Sequence, residues 1–125
     1  RDLVRSRGLG DVYKRQELIH VCNFSDWDPV HYLDVAEMTT AVAIGYDWLY
    51  DVLAPSTRQL VVHSIKTKAL DLVVEEYKTG NADSWAKRET NWNVVCNTGM
   101  VLGALAIEEH YPELPKAFCT GRCLL

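Results

Sequence analysis

Three carboxamides and an indole, Asn91, Trp92, Asn93 and Asn97, head a run whose other positions are mostly apolar or small, among them Val94, Val95, Cys96, Gly99 and Met100. A buried amide without partners costs roughly 1–3 kcal/mol, so such a cluster implies either a dense internal hydrogen-bond network or a polar ligand. The neighbouring indole points to a sugar. Flat aromatic rings stack on the apolar faces of pyranoses, while amides and cations take the hydroxyl and acidic groups. Two segments carry this mixture: Asp26-Trp27-Asp28-Pro29-Val30-His31-Tyr32, and residues 83–93 with Trp85, Lys87, Arg88, Asn91, Trp92 and Asn93. Trp27, Trp85, Arg88, Trp92 and Asn97 are the candidate sugar contacts. His31 and Tyr32 form a His/Tyr pair of the kind that transfers protons. Asp34 and Glu37, spaced i,i+3, are either a carboxylate pair of a hydrolase or early-turn acids that complement a helix dipole.

These side chains need helices to hold them. Leu33, Ala36, Thr40, Ala41, Ile44, Trp48 and Leu49 recur at three- and four-residue steps, which predicts a helix from about His31 to Leu53, with Tyr46, Trp48 and Tyr50 in the core. Pro55 marks a stop, and Ser56-Thr57-Arg58-Gln59 fits a capping box opening a helix over about 57–78. A connection this short makes the two helices antiparallel neighbours. Another helix is expected over about 91–110, its Gly99, Gly103, Ala104 and Ala106 allowing close approach of a neighbour. Residues 17–23 read as the tail of an earlier helix. No strand pattern is present, so the expected class is all-α, built from antiparallel helical hairpins. The two polar aromatic segments are separated by two long helices and therefore emerge at the same end, where they are able to line one cleft.

Composition narrows the chemistry. The chain has 125 residues, 48% of them hydrophobic and 10% aromatic, enough for about one domain. Residues 1–16 hold five basic residues against two acidic; the remainder holds eight against fifteen, a net of −7, which argues against nucleic acid as a partner. Asp47 and Asp51 interrupt the longest apolar stretch, so no membrane partner is expected. Cys22, Cys96, Cys119 and Cys123 form no CxxC pair and no zinc-site spacing with histidine, and no metal site is expected. A phosphate loop, a dinucleotide fingerprint and a serine-nucleophile motif are also missing, so no cofactor is expected. Residues 1–16, ending in DVYKRQ, and residues 122–125 resemble translated adapter read-through of fragmentary metagenomic reading frames. The expected native content is residues 17–121.

Three blocks then carry a family resemblance: Trp27-Asp28-Pro29-Val30-His31-Tyr32-Leu33-Asp34-Val35-Ala36-Glu37-Met38, Gly45-Tyr46-Asp47-Trp48-Leu49-Tyr50-Asp51, and Asn91-Trp92-Asn93-Val94-Val95-Cys96-Asn97-Thr98-Gly99. From Asp26 to about Ile107 the chain resembles the α/α-toroid domain of heparinase II/III-like polysaccharide lyases. The resemblance implies part of an incomplete toroid, a periplasmic or secreted location, and an acidic polysaccharide of heparin-like or alginate-like type as partner. It also implies cleavage by β-elimination, in which negative charge grows on a uronate carboxylate and is met by neutral donors. Asn91 or Asn93 is then the carboxylate donor, with Asn97 one turn beyond Asn93. Trp92 stands where related lyases often carry a histidine, and further base and acid groups are expected from later toroid helices. The segment is accordingly expected to be inactive on its own. Two rival readings remain at this level: a glycoside hydrolase on another α/α toroid, and a non-catalytic carbohydrate-binding helical domain.

Overall fold

The computed structural model describes residues 2–79, 85 and 90–119, excepting the side chains of residues 2–9, 11 and 117–119. The described residues form helices and no strand: α1 (Asp2–Cys22), α2 (Tyr32–Leu49), α3 (Pro55–Ile65), α4 (Asp71–Thr79), α5 (Asn91–Ala106) and α6 (Glu113–Cys119). A 3-10 turn at Tyr50–Val52 follows α2, and a π-helical turn at Lys66–Leu70 joins α3 to α4. The chain is all-α.

Helix α1 runs back through the residues expected to be read-through. Its first described side chains, Val12 and Tyr13, face solvent, and inward packing starts at Leu18 and Cys22. The end of α1 is held by side chains from α3 and the π turn: Ser64 Oγ donates to the Cys22 carbonyl at 3.1 Å, and Lys68 Nζ donates to the same oxygen. A cation there also complements the negative end of the helix.

Pro55 opens α3 at its first position, where a missing N–H is harmless, and Ala54 is the N-cap. No side-chain cap forms, so the Ser56 capping box expected from sequence is replaced by this proline start. The Arg58 guanidinium instead donates to the Tyr50 carbonyl at 2.9 Å and lies 4.1 Å from the Tyr50 ring centre, tying α3 to the end of α2. Trp48 is a second correction: it is 75% exposed, whereas Tyr46 is buried. Two residues turn an α-helix by about 200°, so these rings cannot share a face.

Helices α2 and α5 run parallel and side by side. His31 meets Trp92 at one end, and the Tyr50 hydroxyl donates to Glu109 at 3.2 Å at the other. Between them the backbones close up: a Cβ placed on Gly99 would lie 2.7 Å from the Ala36 carbonyl oxygen, and one on Gly103 would lie 2.7 Å from Thr39 Cγ2. The α3–α4 rod runs opposite to α2, since the Tyr32 hydroxyl reaches back to the Ala69 carbonyl. Leu18, Val35, Ala36, Ile65, Leu70, Val73, Met100 and Ile107, drawn from every long helix, form one buried core. Its polar members are paired: Thr39 Oγ1 donates to Val35 O at 2.7 Å, and among the described residues no buried side-chain polar atom lacks a partner.

Candidate functional site

The shared starting end of α2 and α5 gathers most of the residues singled out above. Helix α5 begins after Thr90, whose extended backbone (φ −125°, ψ 167°) makes it the N-cap. Asn91, Trp92 and Asn93 therefore occupy the first turn and project in three directions about 100° apart.

Asn93 and Asn97 point inward. The Asn97 amide N–H groups reach the Asn93 backbone carbonyl at 2.8 Å and Asn93 Oδ1 at 3.1 Å, and Asn97 Oδ1 accepts from the Tyr77 hydroxyl. Asn93 Nδ2 in turn donates to the Trp85 carbonyl at 3.2 Å. Asn97 is only 3% exposed. These two amides build a ladder from α4 through α5 to the loop at Trp85. Tyr77, the partner of Asn97, lies in the helix expected over about 57–78 and was not singled out as a site residue from sequence.

Trp85 is fastened from its ring as well. It stacks on Tyr32 with centroids 4.9 Å apart and planes 17° apart, and it lies 6.0 Å from the Tyr77 ring. Tyr32 is itself buried. Its hydroxyl donates to the Ala69 carbonyl at 2.7 Å and sits 3.3 Å from Met100 Sδ. Burial, with smaller contributions from Cys96, Tyr77 and Glu76, pushes this phenol far above its ordinary range. A hydroxyl so enclosed and so reluctant to ionise is a structural strut, and the structure places Tyr32 outside proton-transfer reach of solvent.

Trp27 is likewise turned inward, 3% exposed, with its indole N–H donating to the Val21 carbonyl at 3.1 Å and Lys68 Nζ 5.9 Å from the ring. Its edge forms part of a depression of about 610 Å³ shared with Phe24, Met38 and four carboxylate residues, Asp26, Asp28, Asp34 and Glu37. Asp28 adopts a left-handed backbone (φ 62°), with its N–H donating to Asp26 Oδ1 at 2.9 Å. Like charges there repel a polyanion. Arg88 lies outside the described residues, as does Lys87.

Asn91, Trp92 and His31 are described candidate residues that solvent reaches. Asn91 is exposed and Trp92 half-buried. His31 sits edge-to-face with Trp92, centroids 4.9 Å apart and planes at 80°. Its Nδ1 lies 3.2 Å from Asp34 Oδ1, and the two side chains are 48% and 52% exposed. Sequence spacing assigned Asp34 to the helix dipole or to a pair with Glu37; the i,i+3 relation to His31 was the signal for its actual partner. Asn91, Trp92 and His31 thus present an amide, an aromatic ring and an imidazole at the shared starting end of α2 and α5. Among the described residues no group of three His, Cys, Asp or Glu is placed to hold a metal ion, and no helix is long and apolar enough to cross a membrane. No protein-family model matches the chain, and a search of the curated proteins finds no match.

Proposed function

We propose that this chain forms one wall of a polysaccharide lyase of heparinase II/III-like type, contacting a uronic-acid-containing polymer through Asn91, Trp92 and His31. The observation that carries the reading is the contact between His31 and Trp92, which joins two of the three family-like sequence blocks on one open surface beside Asn91. Parallel placement of alternate helices, α2 beside α5, is also what one layer of an α/α toroid requires.

In β-elimination the C5 proton leaves to a base, the C5–H electron pair becomes the C4=C5 double bond, and the C4–O bond breaks. The departing oxygen takes a proton from water or an acid. Charge gathers on the uronate carboxylate as C5 loses its proton, and a preorganised N–H donor lowers the barrier most when aimed at that position. The Asn91 amide serves this role without a titrating charge. Asn93, already donating to Trp85, serves the scaffold. Trp92 supplies a face for the sugar ring, and His31 is the available proton acceptor.

A second reading, a carbohydrate-binding domain without turnover, draws support from the enclosure of Tyr32, which removes one candidate acid from the surface. Titration of the chain with heparin-type and alginate-type oligouronides, followed by tryptophan fluorescence, tests the shared part of both. Binding is expected to weaken about tenfold, the loss of one charge-assisted hydrogen bond, in Asn91→Ala, and to vanish for carboxyl-reduced oligosaccharides. Equal affinity for charged and reduced sugars would refute the uronate assignment. Ultraviolet absorbance of an unsaturated uronide, formed or not formed from a polyuronate, then separates lyase from binding module.

A further inference from the structure

We propose that the groove between α1 and α2 is the contact surface of a two-fold dimer, its occupant a second copy of this chain. The groove has a volume of about 490 Å³ and a floor that includes Leu18, Val42 and Leu49. It follows α2 from Met38 to Leu49, beyond the starting end where His31 meets Trp92, so the proposal does not depend on the lyase reading. At its border Trp48 is 75% exposed and Ile44 39%. An exposed indole beside an apolar groove marks a contact surface, and tryptophan is among the residues that carry most binding energy between proteins.

Charge selects the occupant. Lys14 and Glu17 also line the groove, one turn apart on α1; both are exposed, and no ion pair joins either to a described residue. In a two-fold contact every pairing occurs twice with the roles exchanged, so a surface carrying one cation beside one anion is complementary to itself. Lys14 meets the partner's Glu17, and Glu17 meets the partner's Lys14. A partner of a single sign would leave one of these charges unmatched. The levels along the helices agree with this pairing. Arg15 Nη1 donates to the Val52 carbonyl at 3.3 Å, and Leu18 Cδ1 lies 3.7 Å from a Cβ placed on Gly45, so α1 and α2 run antiparallel and the turn from Lys14 to Glu17 stands beside Trp48. An axis at that level pairs the charges and brings each Trp48 against the partner's Trp48 and groove. The apolar contact supplies the affinity, while the exposed charge pairs, weak in themselves, fix the register.

Sedimentation equilibrium of the full chain reads the assembly. A discrete dimer is expected, with Trp48→Ala weakening association at least about thirtyfold and leaving the helical circular dichroism unchanged, since the ring is mostly exposed. Charge reversal supplies the second test. Lys14→Glu and Glu17→Lys are each expected to weaken self-association, and an equimolar mixture of the two to form a mixed dimer in which both charge pairs are restored. A chain that stays monomeric up to millimolar concentration overturns the proposal, as do open-ended oligomers, which a closed two-fold contact excludes. A dimer unaffected by Trp48→Ala, or charge variants that associate no better together than apart, refutes it as well.

Discussion

Replacing Gly99 and Gly45 by alanine is expected to shift stability in opposite directions, although both glycines lie within helices. In an exposed helix the exchange gains about 1 kcal/mol from propensity and reduced unfolded-chain freedom. At Gly45 nothing opposes that gain, because the nearest atom to the added Cβ is Leu18 Cδ1 at 3.7 Å, an ordinary contact. At Gly99 the Cβ meets Ala36 O at 2.7 Å and Ala36 C and Cα at 3.2 Å, all backbone atoms of α2, so no side chain can swing aside. Helices α2 and α5 must separate, loosening contacts around Met100 and Ala104. Overpacking of this kind costs about 1–3 kcal/mol, and a backbone clash belongs at the upper end. The net for Gly99→Ala is a loss of about 2 kcal/mol. With a urea slope of roughly 2 kcal/mol per molar, its unfolding midpoint falls by about 1 M, and that of Gly45→Ala rises by a few tenths. Equilibrium urea unfolding followed by circular dichroism measures both. Midpoints that move the same way in the two variants would refute the close α2–α5 approach.

Three other outcomes follow from buried groups. Asn97→Leu deprives Tyr77 and Asn93 of one partner each and is expected to cost roughly 1–3 kcal/mol, whereas Asn91→Ala is expected to leave the urea midpoint within error. Tyr32 and Tyr46 are both held neutral by burial above the ordinary phenol range. Each raised value means that the folded state keeps its proton when the unfolded chain loses it, so the associated stability is complete below about pH 10 and declines as pH rises further. Ultraviolet titration of the six tyrosines is expected to show a fraction that ionises only on unfolding; a single ordinary transition for all six would contradict this. Cys22 and Cys96 are buried, and loss of solvation raises both thiols, Cys96 to about 12. Iodoacetamide at pH 8 is expected to leave both unlabelled in the folded protein, as peptide mapping will show, and to reach them in urea.

The helices were legible because apolar spacing reports burial, and Pro55 and the segment after Ile107 report their ends. The finer features were not. Ser56 has the identity and spacing of a cap, yet a proline one residue earlier starts the helix first. The π turn at Lys66–Leu70, whose Ala69 carbonyl accepts from Tyr32 on α2, had no signal in the apolar spacing. Aromatic residues were the least legible part of the site. Trp27, in the loop after α1, is enclosed with its indole N–H on Val21, whereas Trp48 on α2 faces outward; residue type alone reports neither outcome, which depends on how the loop folds back and on the register of α2.

The same geometry divides the amides of α5. At about 100° per residue, Asn93 and Asn97 lie some 40° apart on one face, whereas Asn91 is about 160° from Asn93. Two amides are thereby committed to a ladder that pins Trp85, and the third is left at the surface. Under the proposed function the ladder would steady Asn91, since a donor aimed at developing charge acts best when its support does not move. On that same proposal, the four carboxylates of the depression beside Trp27 disfavour a polyuronate there, and a neutral amide at Asn91 would meet its carboxylate without a buried cation having to be desolvated.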